Sequence, residues 1–363
     1  MISLIHTGDI HIGMEFKKAS FGSEFARDRR NEIKETFYRI IDRAVDMNAD
    51  FLLISGDLFE DEYATIGEIK EINKYFRKLN DTRIVIIAGN HDPIINNKSY
   101  YKIIDWAENV YILDTTLQKI SFEDVNVDIY GLSWNKKLIK DNLFENIQID
   151  DKNRINILLA HGDIYQKSSY LPIDRESIAN KGFDYIALGH IHKHEFICKN
   201  IAYPGSPEPL DFGETGTHGI IEGSISKDEL DIKFLPFSKR EFVSIDVSVD
   251  DNMTVENIIE NIKEIVREYD FKNLYRFNLN GIRDKDILFD TQYIKYRVEE
   301  YVIYAEILDN TTPDYDLDKL KQENENNVIG KYIEYMEEQN TEDEISKLAL
   351  YEGIEALLSE KVN

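Results

Sequence analysis

The sequence has almost no cysteine and no long apolar run. Its one cysteine, Cys198, excludes an internal disulfide and a zinc site built from cysteine thiolates, and is typical of a reducing cytosol. No apolar run approaches the roughly 20 residues that a membrane-spanning helix needs. The first residues also lack the basic segment and apolar core of a signal peptide. We therefore expect a cytoplasmic protein that makes no membrane contact.

Positive charge is also scarce. There are 43 Lys and Arg residues against 69 Asp and Glu residues, a formal net charge of −26. Long-range repulsion of this kind opposes broad, nonspecific adhesion to nucleic acid. It does not exclude a phosphate-processing site whose positive charge comes from bound metal. The 363 residues are 42% apolar and 31% charged, which predicts a globular chain of two or three domains.

The first 240 residues show the pattern of an α/β domain. Apolar runs alternate with amphipathic stretches, which predicts parallel pairing of the first three strands. These strands are predicted at Ile2–His6, Phe51–Ser55 and Arg83–Ala88, with helices at Phe25–Met47 and Gly67–Leu79. Shorter runs then predict a second, mixed or antiparallel sheet packed on the first, comprising Val125–Tyr130, Ile155–Ala160, Tyr185–Leu188, His194–Cys198, Gly219–Glu222 and Leu230–Leu235. The expected architecture is a layered α/β sandwich.

A second pattern begins at residue 241. A small βαβαβ module is predicted over residues 241–310, with strands at Phe242–Val247, Leu274–Asn280 and Val302–Leu308 and helices at Val255–Tyr269 and Asp290–Val298. Residues 310–314 have the composition of a linker. An acidic linker and helical tail is expected over residues 311–363, where Thr341-Glu342-Asp343-Glu344 matches a helix capping box.

Five polar clusters follow predicted strands. They are Gly8-Asp9-Ile10-His11, Gly56-Asp57-Leu58-Phe59, Gly89-Asn90-His91-Asp92, Ala160-His161-Gly162-Asp163 and Gly189-His190-Ile191-His192, and they contain five of the eight histidines. Turn chemistry alone would explain one such cluster. Loops at the carboxyl ends of parallel strands converge, and Asp, Asn and His donors suit manganese, iron or zinc. In DIH and HIH, residues two apart on an extended segment would face one metal centre.

The ordered set GDIH, GDLF, GNHD, HGD and GHIH resembles the calcineurin-like metallophosphoesterases over about residues 1–237. The resemblance implies an α/β/β/α sandwich with two divalent ions, manganese being expected and iron(II) or zinc the alternatives. It implies one ion on Asp9, His11, Asp57 and His192, and a second on Asp57, Asn90, His161 and His190. It further implies that His91 is the general acid or transition-state donor, with Asp92 a candidate to orient its ring.

Within that superfamily, the GDLF, AGNHD and YPGSPEPLDFGE stretches and the small module after them are most similar to SbcD-type, including YhaO-like, DNA repair exonucleases. This resemblance implies a manganese-dependent DNA exonuclease, with endonuclease activity as an addition, and a DNA-facing cap over residues 241–310. It implies an SbcC-type coiled-coil ATPase partner that grips the helical tail, and a homodimer formed through helices of the first domain.

The sequence departs from the resemblance at Glu60, where several relatives carry a histidine, and this puts a substrate-stacking role there in doubt. The basic pairs Lys17-Lys18 and Lys136-Lys137, with Lys193, are candidate phosphate contacts, although solvated surface lysines are the simpler interpretation. A small-molecule or cyclic-nucleotide phosphodiesterase, or a phosphatase, would use the same metal ligands and is the alternative function. A noncatalytic scaffold is disfavoured because the ligand set is complete.

Overall fold

The computed structural model describes residues 1–16, 21–165, 170–339 and 343–360. The chain divides into two compact units, unit 1 (Met1–Glu241) and unit 2 (Phe242–Asn363). Lys17 and Lys18 lie outside the described residues, as do Thr341 and Glu342, which begin the predicted capping box. Among the helices that the structure describes, none is both long enough and apolar enough to cross a membrane.

Unit 1 is built around two β-sheets. Its strands are β1 (Ile2–Thr7), β2 (Phe51–Ser55), β3 (Arg83–Ile87), β4 (Val110–Ile112), β5 (Gln118–Phe122), β6 (Val127–Gly131), β7 (Ile155–His161), β8 (Tyr185–Gly189), β9 (Glu195–Cys198), β10 (Ile201–Tyr203), β11 (Gly219–Ile225) and β12 (Leu230–Pro236). Its helices are α1 (Ser23–Asp46), α2 (Ile66–Phe76), α3 (Tyr100–Ile103) and α4 (Arg175–Ala179). Sheet I has the order β12-β11-β1-β2-β3-β4, and sheet II has the order β5-β6-β7-β8-β10-β9.

The parallel pairing predicted for the first strands is confirmed, since β1 pairs with β2 and β2 with β3 in parallel register. The assignment of β11 and β12 to the second sheet was wrong. Strand β11 instead runs antiparallel to β1, with Ile225 opposite Ile2, and β12 pairs with β11. These two strands extend sheet I because the edge of β1 would otherwise expose unpaired backbone groups.

Strand alternation generates the layers. In β2, Leu52 and Ile54 pack with apolar residues of α1 and α2 on one side of sheet I. Phe51 and Leu53 point to the other side and pack against sheet II. The outer side of sheet II, in turn, packs with α4 through residues that include Ile178. The expected α/β/β/α sandwich is therefore confirmed.

Unit 2 contains a parallel sheet followed by helices. Its elements are β13 (Phe242–Val249), α5 (Val255–Val266), β14 (Leu274–Arg283), α6 (Thr291–Val298), β15 (Tyr304–Pro313), α7 (Leu317–Glu323), α8 (Val328–Glu338) and α9 (Glu344–Glu360). The sheet order is β13-β14-β15, and both pairings are parallel. The linker prediction at residues 310–314 was wrong, because β15 continues through Pro313, which lies opposite Arg283 of β14. Helices α8 and α9 share a small apolar core that includes Ile333 and Ile354.

A buried ionic network ties α1 to the chain after β10. Arg29 is fully buried, pairs with Glu32, donates to the backbone oxygen of Pro209 and lies 3.4 Å from the Glu208 carboxylate. Glu208 also accepts a hydrogen bond from Thr36. Removing one partner of a buried ion pair leaves the other charge uncompensated.

We expect Arg29→Met to lower the free energy of unfolding by about 3–5 kcal/mol, since it leaves the buried Glu208 carboxylate without its positively charged partner. Urea unfolding followed by tryptophan fluorescence measures this directly, because both tryptophans, Trp106 and Trp134, lie in unit 1. Arg27→Met is the matched control, because its side chain is 64% exposed. The control should stay within about 0.5 kcal/mol of wild type. Equal behaviour of the two variants would contradict a structural role for Arg29.

Candidate metal centre

All the predicted ligands lie at the carboxyl ends of parallel strands in the two sheets. Asp9 and His11 follow β1, and Asp57 follows β2. Asn90 follows β3, His161 is the last residue of β7, and His190 and His192 follow β8. The two sheets face each other through the core between them, so their strand ends meet at one edge of unit 1.

One group of ligand atoms comprises Asp9, His11 and His192. One nitrogen or carboxylate oxygen from each lies within 4.8 Å of the others. The Nε2 atoms of His11 and His192 are 3.2 Å apart. Two imidazoles and a carboxylate at this spacing match the donor set that manganese, iron or zinc accepts.

A second group lies beside it. Asp9, Asp57 and His161 also bring ligand atoms within 4.8 Å of one another. The Nε2 atom of His161 is 3.3 Å from Oδ2 of Asp57 and 2.9 Å from Oδ1 of Asn90. The same Asn90 oxygen is 3.1 Å from Nδ1 of His190. Oδ2 of Asp57 is also 3.9 Å from Nε2 of His11, so Asp57 lies between the two groups.

Tight left-handed turns aim these side chains. Asp9, His11 and Asp57 have φ angles of 50°, 54° and 50°, and His190 has φ 98°. The expectation that DIH and HIH are extended was therefore wrong, and turns rather than strand alternation bring the side chains together. Glycine is required in the neighbouring loop, because a Cβ atom on Gly89 would lie 2.2 Å from Oδ1 of Asp57.

The charges of the cluster suit a cation. Asp9 and Asp57 are fully buried, and in the described part of the chain they form ion pairs with histidines. Burial alone would lower the pKa of His161, but the Asp57 carboxylate raises it to about 9. Burial likewise opposes the charge of His192, yet Glu214 raises its pKa to about 9. The same carboxylates that raise these pKa values would favour a bound cation, whose binding displaces protons from the histidines.

Two carboxylates that sequence reasoning did not assign to the site hold the histidine rings. Glu60 accepts hydrogen bonds from Nδ1 of His11 at 2.7 Å and Nδ1 of His91 at 2.9 Å. Glu214 accepts one from Nδ1 of His192 at 2.6 Å. Glu60 directly follows GDLF, where the sequence departs from the resemblance, and Glu214 is the last residue of the YPGSPEPLDFGE stretch. Sequence alone gave no indication of which ring each would contact.

The role expected for Asp92 was wrong. Its fully buried carboxylate does not bind the His91 ring, which Glu60 orients instead. Asp92 accepts hydrogen bonds from the backbone N–H groups of Leu58 (2.7 Å) and Gly89 (2.6 Å) and from the Tyr101 hydroxyl (2.6 Å). Burial raises the pKa of Asp92 to about 7. Asp92 therefore joins the two loops that carry Asp57 and Asn90.

His91 lies at the open side of the cluster. Its side chain is 45% exposed, whereas those of Asp57 and His161 are buried. A pocket of about 370 Å³ adjoins it, lined by residues that include His11, Met14, Phe16, Tyr63 and Leu210. A substrate can therefore reach the His91 ring and the metal ligands from the same side.

We expect Glu214→Gln to weaken metal affinity by about 10–100-fold, because partners that orient a ligand histidine contribute on that scale. The glutamine amide can still accept a hydrogen bond from the His192 ring. It lacks the negative charge of Glu214, which favours a cation beside that ring. Calorimetric titration with Mn²⁺ measures the change. Glu229→Gln, at an exposed residue between β11 and β12, is the control and should bind like wild type. Equal affinities in both variants would show that Glu214 does not support the site.

More than half of the chain matches a known protein family. Residues 2–194 match the family model described as calcineurin-like phosphoesterase. The chain is 27% identical over 269 residues to the uncharacterized metallophosphoesterase YhaO of Bacillus subtilis, covering 70% of this chain and 65% of that protein.

Two archaeal proteins named DNA double-strand break repair protein Mre11 are also similar. The protein from Sulfolobus acidocaldarius is 26% identical over 330 residues, which covers 84% of this chain and 82% of the relative. The protein from Methanocaldococcus jannaschii is 27% identical over 272 residues, covering 67% of this chain and 69% of the relative.

Proposed function

The chain belongs to the calcineurin-like phosphoesterase family, whose members use divalent metal ions to hydrolyse phosphoesters, and from this premise we propose that it is a DNA exonuclease. Its reaction is hydrolysis of phosphodiester bonds, with endonuclease activity as an addition. The observation that carries the proposal is the cluster itself, in which two buried aspartates, an asparagine and four histidines meet beside the exposed His91.

The proposed ligands divide into two sets that share Asp57. We assign Asp9, His11, Asp57 and His192 to one ion, and Asp57, Asn90, His161 and His190 to the other. We propose Asp57 as the ligand that both ions share, and its Oδ2 atom, within 3.9 Å of nitrogen atoms of both His11 and His161, supports this role. When bound, two divalent ions would stabilise the attacking and leaving oxygens of the displacement. Manganese is the proposed ion, with iron(II) and zinc as alternatives.

His91 is the proposed acid. Its Nδ1 atom forms a hydrogen bond with Glu60, so Nε2 is the ring nitrogen that can face substrate. From there it would donate a proton to the leaving oxygen. The backbone N–H of His91 donates to Oδ1 of Asp57 at 2.8 Å, which holds the backbone of residue 91 beside the proposed shared ligand.

The choice of DNA as substrate rests on the extent of similarity. Unit 1 ends at Glu241, about two thirds of the way along the chain, whereas the similarity to the Sulfolobus protein covers 84% of the chain. Part of unit 2 must therefore share it. A general phosphatase would need only the fold of unit 1, so this extent favours a repair nuclease over the alternative of a small-molecule phosphodiesterase.

We assign a partner-binding role to the helical end of unit 2. Unit 2 carries 29 acidic and 13 basic side chains, a formal charge of −16, which opposes extensive DNA contact. Exposed apolar residues occur on α8 and α9, namely Val328, Tyr335, Ile345 and Leu348. Such residues are typical of protein interfaces. The proposed partner is an SbcC-type coiled-coil ATPase, and the proposed assembly is a homodimer through the helices of unit 1.

Cleavage of end-labelled single- and double-stranded DNA with added Mn²⁺, beside bis-p-nitrophenyl phosphate, tests the proposed function. We expect stepwise shortening of DNA that stops when the metal is chelated. Hydrolysis of the small diester alone, even after addition of the purified ATPase, would reject DNA as substrate and favour the small-molecule alternative. Absence of hydrolysis with every substrate and metal would reject a catalytic role.

A further inference from the structure

Glu60 divides its carboxylate between two histidines that have different tasks. Oε1 accepts from Nδ1 of His11, and Oε2 accepts from Nδ1 of His91. The two rings stand nearly perpendicular, with centroids 4.8 Å apart. Ring orientation at the metal ligand and at the exposed acid therefore depends on one side chain.

The backbone holds Glu60 firmly in this position. Its N–H donates to the backbone oxygen of Ile12 at 2.8 Å, and Ile12 forms a β-bridge with Phe59. The loops after β1 and β2 are thereby joined directly beside the carboxylate. The side chain is about nine-tenths buried, so water does not readily replace either histidine bond.

We propose that Glu60 is a positioning residue that orients His11 and His91 together. It thereby couples the metal ion assigned to His11 with the proposed proton donor His91. The inference rests on the proposed function in one respect, the assignment of His91 as proton donor. By accepting at Nδ1 of both rings, Glu60 turns the Nε2 atom of His11 toward the ligand cluster, where it lies 3.2 Å from Nε2 of His192, and leaves Nε2 of the exposed His91 ring to face substrate. His11 can then present Nε2 to metal while His91 presents Nε2 to the leaving oxygen.

The chemistry of the carboxylate explains why glutamate is needed. A carboxylate has two acceptor oxygens, and each is used by a different ring. A glutamine amide has one acceptor oxygen and one donor nitrogen, so it can satisfy an Nδ1–H group on only one of the two rings. Glu60→Gln keeps the size and position of the side chain and therefore tests the second acceptor rather than packing.

The test compares wild type, Glu60→Gln, His91→Ala and the double variant. Calorimetric titration with Mn²⁺ gives affinity, and turnover is measured at saturating Mn²⁺. Two substrates are used: bis-p-nitrophenyl phosphate, whose leaving group needs little protonation, and the dinucleotide dTpdT, whose alkoxide leaving group needs an acid. Glu62→Gln is the control, because Glu62 is an exposed neighbour paired with Lys137.

We expect Glu60→Gln to weaken Mn²⁺ binding by about 10–100-fold through His11. At saturating metal, its turnover of dTpdT should fall at least about tenfold more than that of the p-nitrophenyl diester, because an ill-oriented acid contributes less. The double variant should turn over dTpdT no more slowly than His91→Ala, since the two changes affect one element. The control should match wild type in every measurement.

Unchanged Mn²⁺ affinity, equal losses with both substrates, or additive losses in the double variant would each overturn the coupling. Failure of the proposed DNA function looks different. In that case wild type would hydrolyse the p-nitrophenyl diester and leave dTpdT and DNA intact, while the Mn²⁺ titration of Glu60→Gln would still show whether Glu60 supports the first ion.

Discussion

Replacement of His91 by alanine is expected to lower DNA turnover by about 10²–10⁴-fold, which is the contribution of a positioned acid to the rate. The variant is expected to keep its metal. The ring is 45% exposed, so its removal leaves little unfilled space. The backbone N–H of residue 91 still reaches Oδ1 of Asp57 in the variant, because that bond does not involve the ring. The ligand loops should therefore keep their geometry.

Turnover at saturating Mn²⁺, with metal content determined by elemental analysis, measures the effect. His194→Ala is a suitable control, because its ring stacks on Phe234 outside the ligand groups and the variant should keep wild-type turnover. A His91→Ala protein that binds metal and cleaves DNA normally would contradict the assignment of the acid. Loss of metal from this variant would instead make His91 a ligand.

Asp57→Asn is expected to show the other large effect, a loss of at least one metal ion and of activity by about 10³-fold or more. Oδ2 of Asp57 lies 3.9 Å from Nε2 of His11 and 3.3 Å from Nε2 of His161, between the two ligand groups. Asparagine has the same shape but lacks the charge. Metal ions contribute several kcal/mol to stabilisation of the transition state, which is the source of the activity loss.

The increase in melting temperature on addition of Mn²⁺ reports metal binding by the folded protein. It therefore separates loss of metal in Asp57→Asn from a defect in folding. Binding to the native state stabilises it by about 2.7 kcal/mol when free metal is 100 times the dissociation constant. Wild type, His91→Ala and the exposed-residue control Asp231→Asn should all show the increase, and Asp57→Asn should lose most of it. A full increase with Asp57→Asn would show that Asp57 is not a shared ligand.

Much of the fold of unit 1 was predictable because its signals are local. The spacing of apolar residues marks β1 to β3 and α1, and polar clusters mark where the strands end. The sheet to which a strand belongs is not a local property. Strand β11 reads like its neighbours in sequence, yet it pairs with β1 across more than 200 residues, and this pairing was predicted wrongly. Likewise, residues 310–313 have the composition of a linker, but they form part of β15 because they pair with β14.

The sequence by itself determined the residue types of the candidate ligands and their position after strands, because short local segments specify both donor chemistry and strand ends. Tertiary structure alone decided which residues support them. Glu60, Glu214 and Asp92 differ little in sequence from ordinary surface or turn carboxylates, but burial and hydrogen bonds join them to His11, His192 and the backbone of Leu58. Hydrogen bonds depend on distances of about 3 Å between atoms, and such distances arise only when distant loops are packed together.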